Sequence, residues 1–297
     1  MTALRTPCSN PTGEDTMTTT DRSPEIARTI DVNGIATNYH DEGDGQPVVL
    51  IHGSGPGVTA WANWRTTIPA LAGRFRVLAP DILGFGYTER PDGTEYNSTT
   101  WTEHLVGFLD ALGLNKVSIV GNSFGGSLAL DIATRHPDRV DRLVLMGSVG
   151  VPFEITDGLD AVWGFEPSLE AMRHLLDVFA YDRSLVNDEL AALRLAAATR
   201  PGVQEAFSAM FPAPRQHSVD AMAVDENRIA ALPHDTLIIH GRDDQVIPLS
   251  NSLRLLELID RSQLHVFGRC GHWVQIEHAT RFNSLVTEFL SEHRSER

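Results

Sequence analysis

The sequence predicts an α/β protein: a mostly parallel, doubly wound sheet with an inserted helical lid. Three observations carry this. Short apolar runs, "VVLI" from Val48, "VSIV" from Val117 and "RLVLM" from Arg142, alternate with amphipathic segments of helix length. That is the pattern of buried parallel strands joined by crossover helices. The alternation lapses over residues 150–232, where the periodicity is helical, and resumes at "DTLIIHG". Finally, "SIVGNSFGGSLAL", from Ser118, joins an apolar strand to a helix through a turn crowded with small residues and centred on Ser123. The expected organisation is a disordered polar tail over residues 1–24, a core over 25–149 and 233–297, and a lid over 150–232.

Taken in order, "MTALRTPCSNPTGEDTMTTTDRSPE" is rich in Thr, Ser and Pro and lacks the apolar pattern of a packed element. Met17 offers an alternative start. Two strands flank Asn33-Gly34, a strong hairpin turn. Pro47 leads into a buried strand and the glycine-rich loop "HGSGPG". "TTIPALAG" reads as a helix and "FRVLAPDILGFG" as a strand and loop. Trp101, Leu105, Phe108 and Leu109 recur at helical spacing, and Ala129, Ile132, Ala133 and His136 mark one face of the helix after Ser123, which Pro137 ends. In the lid, "LEAMRHLLDVFA" and "DELAALRLAAATR" are helical. "SQLHVFG" is a last strand and "RFNSLVTEFLSEHR" a terminal amphipathic helix.

The 297 residues, 42% of them hydrophobic, suffice for one large core. The net charge of −15 repels phosphate backbones and argues against a nucleic-acid partner. An anionic substrate would need local cations. Two cysteines, Cys8 and Cys270, are too few for a disulfide framework and fit a reducing, cytoplasmic setting. Zinc-ligand spacing is lacking, and the first residues hold no long apolar run, so neither a metal nor a membrane partner is expected.

Gly121-Asn122-Ser123-Phe124-Gly125 matches G-x-S-x-G in the strand-turn-helix context that gives this motif its meaning. The glycines let strand and helix approach, and the serine hydroxyl is presented above the carboxyl edge of the sheet. A serine needs a base, and the base an orienting acid. Among twelve histidines, His272 in "FGRCGHWVQIEH" lies where this fold delivers the base. His278 lies at the start of the following helix, and His52 and His240 are expected to pack or hydrogen-bond beneath the site. "LIIHGRDDQVIP" offers Asp243 and Asp244 as the acid. They cannot both point inward, and the pattern favours Asp244. The backbone N–H groups of Phe124 and Ser54 are the expected oxyanion donors. Cys270 reads as a small packed residue.

"HGSGPGVTAWANWR", "GNSFGGSLAL", "FAYDRSLVNDELAALR", "HGRDDQVIPL" and "GRCGHW" together resemble the meta-cleavage product hydrolases, the C–C bond hydrolases of bacterial aromatic catabolism, within the α/β-hydrolase fold. The resemblance runs from about Ile30 to Leu290 and includes the lid. It implies a Ser123, Asp244, His272 triad. It also implies substrate contacts from Asn63, Asn122 and the lid residue Arg194, and an aromatic wall from Trp273. The biphenyl branch usually reads His-Gly-Gly-Gly-Pro-Gly at the first loop. Ser54 departs from that and favours the single-ring branch, whose substrates are 2-hydroxymuconate semialdehyde and its 6-methyl analogue. A small anionic dienoate substrate, no metal or organic cofactor, and a homo-oligomer are implied. The rival expectations are a carboxylesterase using the same three residues and a non-catalytic binding protein on this fold. A dehalogenase would carry Asp at position 123.

Overall fold

In the computed structural model, residues 23–292 are described. The tail expected over 1–24 therefore lies outside the described residues, except for Ser23 and Pro24. Eight strands form one sheet: β1 (Arg28–Val32), β2 (Ile35–Glu42), β3 (Gln46–Ile51), β4 (Phe75–Pro80), β5 (Val117–Asn122), β6 (Val140–Met146), β7 (Thr236–Gly241) and β8 (Ser262–Phe267). Their order is β1-β2-β4-β3-β5-β6-β7-β8. The β1-β2 and β2-β4 pairs are antiparallel, and all later pairs are parallel. Asn33 (φ 54°) and Gly34 (φ 87°) both take the left-handed conformation that a two-residue hairpin requires.

The continuous apolar runs hide a strict alternation. Val49 and Ile51 of β3, Ile119 of β5, and Leu143 and Leu145 of β6 enter one core. Val48 and Leu50, Val120, and Val144 and Met146 enter the other. Both faces of the sheet are thus covered, which is why apolar residues dominate these strands, with Ser118, Asn122 and Arg142 as buried polar exceptions. Helices Ser98–Ala111 and Phe124–Arg135 cover the first face, and Ala60–Trp64, Ile68–Ala72 and Ala279–Ser291 the second.

Between β6 and β7 the chain leaves the sheet for six helices: Asp157–Trp163, Leu169–Phe179, Asp188–Ala198, Val203–Met210, Gln216–Met222 and Glu226–Ala230. Four of them start on a capping side chain, from Thr156, Ser168, Asn187 and Asp225. The excursion closes where it began, because Val224 N–H donates to the Gly150 carbonyl at 2.9 Å. Its inner side chains merge with the first core.

Two sequence expectations need correction. His136 does not lie on the buried helix face. It caps the helix, exposed, at φ −130°, because the residue before a proline is driven out of the helical region. Helix Leu249–Leu258, between β7 and β8, escaped the periodicity reading. Its buried face includes Asn251 and Ser252 beside Leu255, so the apolar stripe is broken by polar residues that serve the core. Among the described residues, no helix is long and apolar enough to cross a membrane.

Candidate active site

The sheet order reverses direction at β3, whose neighbours β4 and β5 lead to opposite edges. The crevice at the carboxyl ends of such strands is the natural ligand site of an open α/β sheet. There, the loop after β3 brings Gly53 and Ser54, the turn after β5 brings Ser123, and the loops after β7 and β8 bring Asp244 and His272.

Ser123 holds φ 55° and ψ −118°, a conformation costing about 1–3 kcal/mol for a non-glycine residue. Its backbone is pinned from both sides. Its N–H donates to the Met146 carbonyl at 2.8 Å, and its carbonyl accepts from Gly126 at 2.9 Å and Val149 at 3.2 Å. A Cβ at Gly121 would run into the Gly125 carbonyl, and one at Gly125 into the carbonyls of Ile51 and His52. The glycines are there for close approach. Phe124 opens the following helix, so its N–H is an orphan donor beside the serine.

Asp244, the expected acid, is held as tightly. One oxygen of Asp244, Oδ1, accepts the Val246 and Ile247 N–H groups at 2.7 and 3.0 Å. The other, Oδ2, meets His272 Nδ1 at 2.7 Å, with His240 Nε2 at 3.4 Å. Burial alone would raise the Asp244 pKa; the two imidazoles and the Ile247 N–H outweigh it and hold the carboxyl below its ordinary value. His272 is fixed through its own N–H, which donates to the Phe179 carbonyl at 2.8 Å. With Nδ1 facing a carboxylate, its Nε2 is free to accept a proton. Among the described residues the Ser123 hydroxyl has no protein partner, and it lines the same cavity as His272. Asp243 turns away, accepting the Arg269 N–H at 2.9 Å and pairing with Arg242.

His52 and His240 lie beneath the site. His52 Nε2 accepts the Ile82 N–H at 3.0 Å and Nδ1 meets the Gly53 carbonyl at 2.7 Å. Those partners fix a neutral Nδ1–H tautomer, and burial lowers its pKa to about 4. His240 meets Ser252 Oγ at 2.6 Å and the Ile247 carbonyl at 3.0 Å. Burial raises the Cys270 thiol far above its ordinary pKa, so it is not a nucleophile.

The cavity measures about 600 Å³. Asn63, Asn122, Arg194 and Trp273 all line it, with Ser54 and Ser123. Asn63 Oδ1 accepts from Asn122 Nδ2 at 2.9 Å and from the Gly53 N–H at 3.3 Å. That leaves Asn63 Nδ2 and Asn122 Oδ1 buried and unpaired among the described residues, an expensive state unless a ligand meets them. Arg194 donates to the Pro56 carbonyl at 3.3 Å and has no carboxylate partner among the described residues. Trp273 stacks on Phe179 with ring centroids 5.0 Å apart. The Ser54 hydroxyl accepts from Trp163 Nε1 at 2.9 Å, tying the glycine-rich loop to the inserted helices.

Sequence reasoning passed over Phe179, Gln275 and the apolar wall of Leu159, Val162 and Leu176, which line the cavity, and Trp163, which holds Ser54. The signal for the three wall residues was a helical stripe, which looks the same whether it faces a core or a cavity.

The model of the alpha/beta hydrolase fold family matches residues 46–279. A 2-hydroxymuconate semialdehyde hydrolase of Pseudomonas sp. (strain CF600) is 64% identical over 270 residues, covering 91% of this chain and 95% of that protein. The chain belongs to the meta-cleavage product hydrolases. A second relative in this family, the 2-hydroxy-6-oxo-2,4-heptadienoate hydrolase of Pseudomonas putida (strain F1), is 63% identical and covers 92% of this chain and 99% of that one. Among solved structures, a meta-cleavage product hydrolase from Pseudomonas fluorescens IP01 superposes with a TM-score of 0.89 at 62% identity, covering 90% of this chain and 98% of that one.

This hydrolase carries a testable pH signature. Burial lowers His52 and His104 to about 4 and raises Asp81 to about 6. Between pH 6.5 and 4 unfolding lets both histidines bind protons, while Asp81 loses one. From these three groups the unfolded state gains about one proton net, about 1.4 kcal/mol per pH unit, and the lowered His40, His240 and His265 act in the same direction, so stability falls as pH drops. Urea denaturation midpoints at pH 7, 6 and 5 are expected to decline in that order; a rising series would contradict the burial of the two imidazoles.

Proposed function

We propose that the protein hydrolyses the C5–C6 bond of a 2-hydroxy-6-oxohexa-2,4-dienoate-type ring-fission product, 2-hydroxymuconate semialdehyde or its 6-methyl analogue. The products are 2-hydroxypenta-2,4-dienoate and formate or acetate. The observation that carries the reading is one cavity holding Ser123, the His272–Asp244 pair and a guanidinium, Arg194, with no carboxylate partner among the described residues. An ester hydrolase has no need of that cation. A dienoate carboxylate does.

A C–C bond breaks only if the departing carbon can hold the electron pair. The dienol must therefore first become a ketone, by losing its 2-hydroxyl proton and gaining one at carbon 5. Arg194 holds the carboxylate, and the Asn63 and Asn122 amides hold the 2-oxygen through that shift. The carbon-6 carbonyl faces the N–H groups of Phe124 and Ser54. His272 takes the Ser123 proton as Oγ attacks carbon 6, and Asp244 stabilises the imidazolium. Cleavage leaves an acyl group on Ser123 and the electron pair on carbon 5, delocalised onto the 2-oxygen; the His272 imidazolium returns its proton to this dienolate, which leaves as the 2-hydroxydienoate, and the imidazole is neutral again. Water, deprotonated by His272, then releases the acid. The six helices between β6 and β7 act as the lid, with Trp273 and Phe179 walling the reaction from solvent. The apolar wall of Leu159, Val162 and Leu176 suits a small acyl substituent, in line with the names of the relatives.

Purified protein mixed with the yellow ring-fission products of catechol, 3-methylcatechol and 3-phenylcatechol should bleach the first two fastest. Turnover of a nitrophenyl ester with none of these dienoates would make it an esterase instead.

A further inference from the structure

Beyond Arg194, two further guanidinium groups line the cavity, those of Arg65 and Arg200. Neither is within ion-pair distance of a carboxylate among the described residues, a state they share with Arg90 and Arg269 elsewhere; what sets Arg65, Arg194 and Arg200 apart is that they line one cavity. In a chain of net charge −15, three arginines that line one cavity with no carboxylate at ion-pair distance among the described residues mark a place suited to an anion from outside.

The three act on one another. Arg65 and Arg200 both help burial to lower the Arg194 pKa, opposed by Glu25, the one carboxylate that acts on it. Arg200 also repels Arg90. Such crowding is sustained by rigid anchoring. The Arg200 guanidinium lies 3.9 Å from the Tyr87 ring centroid and donates to the carbonyls of Ala197 and Gly86, each at 3.2 Å. Arg90 shares the Gly86 carbonyl at 2.7 Å. Arg65 is exposed and donates to the Ala62 carbonyl at 2.7 Å. Carbonyl and ring contacts orient a guanidinium without neutralising it, so the charge stays available to solvent-borne anions.

Glu25 lines the same cavity, next to Ser23 and Pro24. Its position is set by Asn38, whose Nδ2 donates to the Glu25 carbonyl at 2.9 Å while Oδ1 accepts the Ala27 N–H at 3.1 Å. The segment thus places one carboxylate among three guanidinium groups.

We propose that Arg200 and Arg65 form an outer carboxylate-capture site, distinct from the reaction position at Arg194, which draws the anionic dienoate to the opening and passes it inward. Glu25 lines the same cavity but makes no ion pair with any of the three among the described residues, so it leaves their charge available to the incoming carboxylate. The inference rests on the dienoate reading above. It accounts for how a strongly acidic protein recruits an anion at all: the outer pair turns the local field attractive within roughly a Debye length, about 8 Å at physiological salt.

The test is the ionic-strength dependence of kcat/KM on the catechol ring-fission product, for the unaltered protein, Arg200→Gln and Arg200→Lys. Arg200→Gln is expected to lower kcat/KM roughly three- to tenfold at low salt, mainly through KM, and to flatten its decline with added salt. Arg200→Lys keeps the charge but not the planar stack, and should retain most of the salt slope. A purely structural role predicts the reverse, with Lys failing like Gln and the slope unmoved. An Arg200→Gln slope equal to that of the unaltered protein overturns the capture site, whatever its kcat. Failure of the unaltered protein to consume the product at all would instead overturn the proposed reaction.

Discussion

Ser123→Ala is expected to cut turnover of the ring-fission product by about 10⁴-fold or more while leaving substrate binding nearly intact. The hydroxyl is the attacking atom in the proposed route, and nothing else at the site replaces it: the Cys270 thiol is buried and raised far from thiolate formation. The substitution removes one oxygen. It leaves the Phe124 and Ser54 N–H groups, Arg194 and the asparagine pair in place, and the backbone of residue 123 is pinned by the Met146, Gly126 and Val149 contacts. Stopped-flow absorbance should therefore show the bound substrate converting to its ketone form, which then persists uncleaved. Full cleavage by the variant would remove Ser123 from the mechanism.

Asp244→Asn should be nearly as severe, about 10⁴-fold in kcat, with little change in fold. The cause is a tautomer. The Val246 and Ile247 N–H groups demand an acceptor at Oδ1, so an asparagine there must keep its carbonyl on that side. Its NH₂ then faces His272 Nδ1, which must accept, and the ring proton moves to Nε2. An Nε2–H imidazole cannot take the serine proton. The buried site also loses the carboxylate that would stabilise an imidazolium. Activity within tenfold of the unaltered protein would show that His272 is oriented by something else, with His240 the neighbour to examine. Asp243→Asn, by contrast, touches only Arg242 and the Arg269–Cys270 backbone, and the difference between the two variants measures the assignment.

Much of this was open to sequence reading because it depends on local constraints. Apolar runs of strand length alternating with helical periodicity specify a covered parallel sheet, since no other arrangement buries both. Asn33-Gly34 dictates its hairpin through backbone sterics. The crowding of Gly121 and Gly125 around Ser123 reports a close approach of strand and helix that only glycine permits. His272 and Asp244 were nameable because each follows a strand, and strand ends are where this sheet concentrates side chains.

What the sequence could not determine is which neighbours share a face. The pattern favoured Asp244 over Asp243, but which loop amides reach each carboxylate depends on the geometry after β7. Val48 and Val49 look alike, yet enter opposite cores. Leu159, Val162 and Leu176 form a stripe that packing alone turns toward a cavity. Helix Leu249–Leu258 hides its buried face behind Asn251 and Ser252. The arginines are the clearest instance: Arg65, Arg194 and Arg200 are scattered on two segments, and any of them reads as a solvated surface charge. Only the tertiary structure brings them to one opening without carboxylate partners among the described residues. Long-range electrostatics depends on distances through space, and a chain records only distances along itself.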